Sequence, residues 1–169
     1  NDFLKVLAEI SEIFPSISHT LVSSVGNFTE HQLSGLRESY QVSVLDYKTK
    51  IPFINKYETP HTLGVDRIAL ISAAAMKFSK KNVLVIDVGT CITYDFLDAK
   101  NNYLGGAISP GIEMRFGAMH ANTARLPLTC LNGAVVELIG TNTQFCLQSG
   151  VQNGVKFELE GIIAQYKRQ

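Results

Sequence analysis

Residues 83–110 read VLVIDVGTCITYDFLDAKNNYLGGAISP. The stretch opens with four apolar residues, Val83-Leu84-Val85-Ile86, the pattern of a buried strand. Asp87 follows, then Gly89 and Thr90 at a tight turn. A second strand leaves at once over residues 91–97. The polar run 98–102 turns the chain again, and residues 103–108 return. The pattern predicts three short consecutive antiparallel strands. The first turn places a carboxylate, a glycine and a hydroxyl where two strands meet. Gly89 lets backbone N–H groups approach a ligand closely, and successive turn amides form an anion-binding nest. Thr90 adds a hydroxyl donor and Asp87 a ligand for a cation. An ordinary hairpin turn is the competing reading.

Outward from this unit, Ser109 and Pro110 are expected to start a helix, as N-cap and first helical residue. Ile112, Phe116 and Met119 would give its buried face, and Leu126-Pro127-Leu128 would end it. Residues 134–138 form an apolar segment whose type the pattern leaves open. Gly140-Thr141-Asn142-Thr143 then opens a long helical stretch to about Lys167. Gly150, Gly154 and Gly161 lie inside it, each costing roughly 1 kcal/mol against alanine. Close approach of another helix, or a break near Asn153-Gly154, would account for them. Upstream, helices are expected over residues 2–14 (capped by Asp2), 29–39 and 66–78, the last with Ile68, Ile71, Ala75 and Phe78 as its apolar face. Strands are expected over 19–25 and 42–45, and an irregular connection over 49–59. Lys80-Lys81-Asn82 is a polar stop that separates residues 1–81 from residues 82–169 as two lobes of an α/β protein.

The 169 residues are 46% hydrophobic and 18% charged, enough to bury a sizeable core. Fifteen basic and fifteen acidic residues balance. No basic stripe points to nucleic acid, and no apolar run approaches the roughly 20 residues that span a bilayer. Cys91, Cys130 and Cys146 are odd in number and lack metal-type spacing, which fits a reducing cytoplasm better than a disulfide framework. The four histidines, His19, His31, His61 and His120, show no ligand spacing. A G-x-S-x-G elbow and a G-x-x-x-x-G-K-[ST] loop are both missing.

Asp66-Arg67 opens a helix after Leu63-Gly64-Val65. An acid there complements the helix dipole. It is also placed to accept a substrate hydroxyl proton while Arg67 binds a carboxylate or phosphate as a fork. Gly105-Gly106 precedes Ala107-Ile108-Ser109-Pro110-Gly111, where glycine brings backbone near an anionic ligand or packs a strand against a helix. Arg115 and Arg125 flank the following helix and read as ion-pair partners.

Four blocks taken together resemble the type III pantothenate kinases. They are Tyr57-Glu58-Thr59-Pro60-His61-Thr62-Leu63-Gly64-Val65-Asp66-Arg67, Ile86-Asp87-Val88-Gly89-Thr90, Gly105 to Gly111, and Gly140-Thr141-Asn142-Thr143 with Gln148-Ser149-Gly150. The resemblance implies an actin/hexokinase-like (ribonuclease H-like) fold of two related α/β lobes, with mixed sheets flanked by helices. It implies transfer of the ATP γ-phosphoryl to the pantothenate hydroxyl, the first step toward coenzyme A. Under it Asp66 is the general base, and Tyr57, Gly64, Val65, Asp66, Arg67 and Thr143 contact pantothenate. Gly89 and Thr90 contact ATP, and Asp87 holds a monovalent cation, K⁺ or NH₄⁺, while Mg²⁺ travels with the nucleotide. A cytoplasmic homodimer is implied as well. The family's opening strand with D-x-G-N-T, and its last strand with a T-G-G-D-like turn, have no counterpart in residues 1–169. The sequence is therefore expected to be an internal portion of such an enzyme. Another small-molecule kinase of the same superfamily, or a non-catalytic regulatory binding protein, is the alternative.

Overall fold

A computed structural model of the chain describes residues 2–24, 26, 29–131, 133 and 135–168. The Asp2 side chain, Val25 and Ala134, on which parts of the sequence reading fall, lie outside what is described. The chain divides into two compact units. The first runs to Ser79 and adds Asn101–Tyr103; the second holds Lys80–Lys100 and the chain from Leu104 onward.

In the first unit, helix α1 spans Asp2–Ile13, strand β1 His19–Val22, helix α2 Glu30–Ser39 and strand β2 Gln41–Val44. Thr29 caps α2 reciprocally. Its hydroxyl accepts from the Gln32 amide, and the Gln32 side chain accepts from the Thr29 amide. The helix then returns the chain so that β2 lies parallel to β1, His19 opposite Gln41 and Val22 opposite Val44. Gly35 lets α2 approach α1, since a Cβ there would meet the Leu4 side chain at 2.5 Å. A two-residue strand, β3 (Ile54–Asn55), sits in the connection expected to be irregular. It pairs in parallel with Asn102 and Tyr103. A 3-10 turn, Pro60–Thr62, leads to helix α3, Val65–Lys77. Its buried face is Arg67, Ile68, Ile71, Ala74 and Ala75. Phe78 belongs to the C-cap and is exposed, so Ala74 takes the place expected for it.

In the second unit, β4 (Val83–Val88) and β5 (Cys91–Leu97) are antiparallel, with Val83 opposite Leu97 and Asp87 opposite Thr93. Strand β6, Asn102–Pro110, borders β5 on its other side. Ile92 and Tyr94 face helix α5, Thr143–Tyr166, through Val155, with Leu84, Ile86, Leu159 and Ile162 around them. Helix α4, Ile112–Ala121, packs Phe116 against Leu147 and Val151 of α5.

Two expectations are corrected. Helix α4 does not begin at Ser109-Pro110: both residues still belong to β6, and Gly111 is the N-cap. Helix α5 is unbroken at Asn153-Gly154. Alanine Cβ atoms at Gly150, Gly154 and Gly161 would meet nothing within 4 Å, so no contact among the described residues requires these glycines.

Candidate functional site

The loop that enters α3 brings five of the sequence-selected residues into one place. Gly64 is the N-cap of α3 and offers no side-chain cap, so the first turn is served from inside the helix. Asp66 does part of this: one carboxylate oxygen, Oδ1, accepts the Arg67 amide at 2.8 Å. A Cβ on Gly64 would stand 2.4 Å from that same oxygen, so a larger residue there would push the Asp66 carboxylate out of this position. Asp66 is exposed. A negative group in a first helical turn is favoured by the dipole, and its exposure leaves it accessible to a substrate hydroxyl.

Arg67 is unlike its neighbour. It is only 6% exposed. Its Nη2 donates to the Tyr103 hydroxyl at 2.9 Å, and its guanidinium carbon lies 5.8 Å from the centre of the Tyr57 ring. Tyr57 in turn stacks on Tyr103, centroids 6.0 Å apart, and Phe53 meets Tyr103 edge-on. Tyr57 is anchored through its amide, which donates to Asn55 Oδ1. The result is an aromatic pillar with a cation beside it. Arg67 is thus packed against the aromatic residues as well as standing beside Asp66 at the head of α3. Tyr103, fully buried, is the member that sequence reasoning missed.

In the second unit, Asp87 lies near the end of β4 and Gly89 and Thr90 form the β4–β5 turn, and all three are exposed. The Gly89 amide donates to Cys91 O at 3.0 Å, closing the turn. The turn is braced from outside by Gly111, whose amide donates to Thr90 O at 2.9 Å. A Cβ at Gly111 would lie 2.1 Å from Gly89 O and 2.4 Å from Thr90 O, so only glycine permits this approach. Helix α4 begins immediately afterwards with no side-chain cap, which sets first-turn amides beside the turn. Such a corner suits an anion. Glycine is also required further back along β6. Gly106 lies against the Tyr94 carbonyl, where a Cβ would come within 1.6 Å of the oxygen, and Gly105 has φ +108°, open to glycine. Opposite Asp87, Thr93 is 8% exposed and its Oγ1 is buried with no partner among the described residues. Hard oxygen donors of this kind suit an alkali cation.

The segment leading to Gly111 is held by Glu158 of α5. Its carboxylate accepts from Tyr94 Oη at 2.7 Å, from Ser109 Oγ and from Arg115 Nη2, and Arg115 Nε donates to Pro110 O at 2.8 Å. Burial pushes the Glu158 carboxyl up, but the bonds from Ser109, Arg115 and Tyr94 and the Arg115 charge outweigh it, and its pKa falls below the ordinary value. Burial first, then the hydrogen bond to Glu158, pushes the Tyr94 phenol up to about 12. The sequence carries a sign of Glu158: an acid three residues after Val155 and four before Ile162, on the apolar stripe of α5.

Thr143 stands apart from the turn, as the exposed first residue of α5. Asn142 caps that helix by accepting the Phe145 amide. A cavity of about 270 Å³ opens beside it, lined by Ile139, Thr141, Phe145 and Gln148 among others. Among the described residues no group of three or more His, Cys, Asp or Glu side chains could hold a metal ion, and no helix is long and apolar enough to cross a membrane.

The profile of the family "Type III pantothenate kinase" matches residues 2–165. Over 165 residues the chain is 46% identical to the type III pantothenate kinase of Christiangramia forsetii, covering 98% of this chain and 68% of that protein. It is 44% identical over 167 residues to the one of Flavobacterium johnsoniae, again covering 68% of the relative. A crystal structure described as a conserved Baf family transcriptional activator from Campylobacter jejuni superposes with TM-score 0.54 at 23% identity, over 90% of this chain and 68% of that one. That likeness concerns the fold.

Proposed function

The chain belongs to the type III pantothenate kinase family, and from that membership we propose how its residues divide the work of phosphorylating pantothenate. The reaction moves the γ-phosphoryl group of ATP to the pantothenate hydroxyl and yields 4'-phosphopantothenate for coenzyme A synthesis. The hydroxyl oxygen forms the new P–O bond, the bond to the β–γ bridging oxygen breaks, and the hydroxyl proton needs an acceptor. Asp66 takes that proton. The observation that carries this assignment is its exposure at the head of α3, with Oδ1 occupied by the Arg67 amide. A carboxylate held through one oxygen keeps a fixed direction, which positions it as a base. Gly64, Val65 and Tyr57 form the wall against which pantothenate lies, and Arg67 stiffens that wall through Tyr103. Thr143 adds a further substrate contact.

Gly89 and Thr90 bind the nucleotide phosphates, with the start of α4 adding amide dipoles. Phosphoryl transfer rests chiefly on such positioning and charge stabilisation. Asp87, with Thr93 opposite, holds the monovalent cation, which offsets phosphate charge when bound; Mg²⁺ arrives with ATP. The two compact units are read as the lobes of an actin/hexokinase-type kinase. A second copy completes a homodimer against the α5 face that carries Gly150, Gly154 and Gly161. The cytoplasm, which supplies ATP and keeps the three free cysteines reduced, is its place of work.

Asp66→Asn tests the central assignment. Loss of a general base costs about 10²–10⁴-fold, so pantothenate-dependent ADP release should fall by about that factor while the melting transition stays in place. Undiminished turnover in this variant removes Asp66 as the base.

A further inference from the structure

We propose that Glu158 is a positioning residue for the nucleotide corner, acting through Arg115 and Ser109; this rests on reading the Gly89–Thr90 turn as the phosphate contact. Glu158 sits in the middle of α5 and touches none of the residues assigned to ATP. Its carboxylate gathers three donors from three other elements: Tyr94 of β5, Ser109 of β6 and Arg115 of α4. Two of these control the backbone between β6 and α4. Ser109 is fixed through its hydroxyl, and Arg115 Nε ties down the Pro110 carbonyl. The next residue is Gly111, whose amide binds Thr90 O and whose Cα lies against the Gly89 and Thr90 carbonyls. The chain of contacts from Glu158 to the turn is therefore continuous and short, and each link is a hydrogen bond or a backbone contact.

The chemistry favours positioning over bulk support. Charge-assisted bonds to one carboxylate fix direction as well as distance. The Gly111 amide bond to Thr90 O holds one end of this segment, and the Arg115 bond to Pro110 O, backed by Glu158, holds the other. Arg115 also lies in the second turn of α4, so its tether to Pro110 sets the angle at which the α4 amides meet the turn. Loosening it moves the phosphate donors.

The test uses the enzyme with Glu158→Gln, Arg115→Lys and Thr90→Ala. KM for ATP and for pantothenate, kcat, and equilibrium ATP binding are read for each. Glu158→Gln keeps the shape but loses the charge, and should raise both the ATP dissociation constant and KM for ATP about tenfold, as expected for one charge-assisted bond. KM for pantothenate should change less than twofold. Arg115→Lys keeps the cation but cannot reach both Pro110 O and Glu158, and should move the same constants in the same direction. If Glu158→Gln does not fold, Arg115→Lys decides by the same criterion. Equal rises in both KM values, or unchanged ATP binding, overturn the positioning role. Unchanged ATP binding in Thr90→Ala overturns the phosphate reading of the turn, a separate failure.

Discussion

Gly111→Ala isolates one contact. Gly111 has φ −70° and ψ 173°, an extended conformation that alanine adopts freely, so the substitution adds a methyl group without backbone strain. That methyl would lie 2.1 Å from Gly89 O and 2.4 Å from Thr90 O. A carbon–oxygen contact ordinarily sits near 3.3 Å or beyond, so the start of α4 and the β4–β5 turn must part by about 1 Å. Both neighbours are backbone, and no side-chain rotation relieves the clash. The Gly111 amide bond to Thr90 O is then lost, at about 1 kcal/mol, and overpacking adds about 1–3 kcal/mol. Urea unfolding should show a loss of about 2–4 kcal/mol. A displacement of about 1 Å at a phosphate contact also costs on the order of 100-fold in rate, read as kcat/KM for ATP in the ADP-release assay. Gly117→Ala is the control: it lies within the same helix, meets nothing within 4 Å, and should gain up to about 1 kcal/mol. A Gly111→Ala enzyme with parental stability and kcat/KM would refute the close approach on which the nucleotide corner is built.

Tyr103→Phe keeps the stack with Tyr57 but removes the hydroxyl that accepts from buried Arg67. Unfolding should register a loss of about 1.5–3 kcal/mol, and steady-state kinetics a rise in KM for pantothenate with KM for ATP unmoved. The Tyr94 phenol, raised to about 12, favours the protonated fold; its contribution is complete below pH 10.0 and fades as pH climbs toward 12. Absorbance titration should show an ionisation near pH 12 that Tyr94→Phe removes. Gly154→Ala fills open space on α5. It should stabilise the dissociated chain by about 1 kcal/mol and raise the dimer dissociation constant in sedimentation equilibrium; a dissociation constant left unchanged removes the glycine face from the subunit contact.

Local signals read well in this sequence. Helices α1 and α2, the apolar spacing of α3 and the hairpin around Gly89-Thr90 involve residues a few positions apart, and the chain folds there as its spacing suggests. Errors arise where a distant partner intervenes. Ser109 looks like an N-cap because serine usually is one, but its hydroxyl is taken by Glu158, 49 residues away, and the strand runs on to Pro110. Beside Arg67, the buried Tyr103 that accepts its hydrogen bond lies 36 residues on, and no local pattern announces it. Strand β3 has two residues, too few for any alternation to show. The α5 glycines left a break near Asn153-Gly154 open as one account, yet the helix continues, with Leu147, Val151 and Val155 buried along an adjacent stripe. The residues assigned to substrate and nucleotide were legible because their chemistry sits in short runs; the residues that hold them were not, because they are drawn from across the chain.

The Glu158 carboxylate also orders events in time. Its partners lie 43, 49 and 64 residues away, so all three bonds close long loops. Loop entropy is lost before such contacts return anything. Strands β5 and β6 and the start of α4 must be in place before the carboxylate finds its donors, which makes the docking of mid-α5 a late step. Interactions formed after the transition state govern how fast the native state opens, with little effect on how fast it forms. The side chain proposed to position the nucleotide corner is thus expected to act as a latch on unfolding as well, so that Glu158→Gln should unfold faster while refolding at nearly the parental rate.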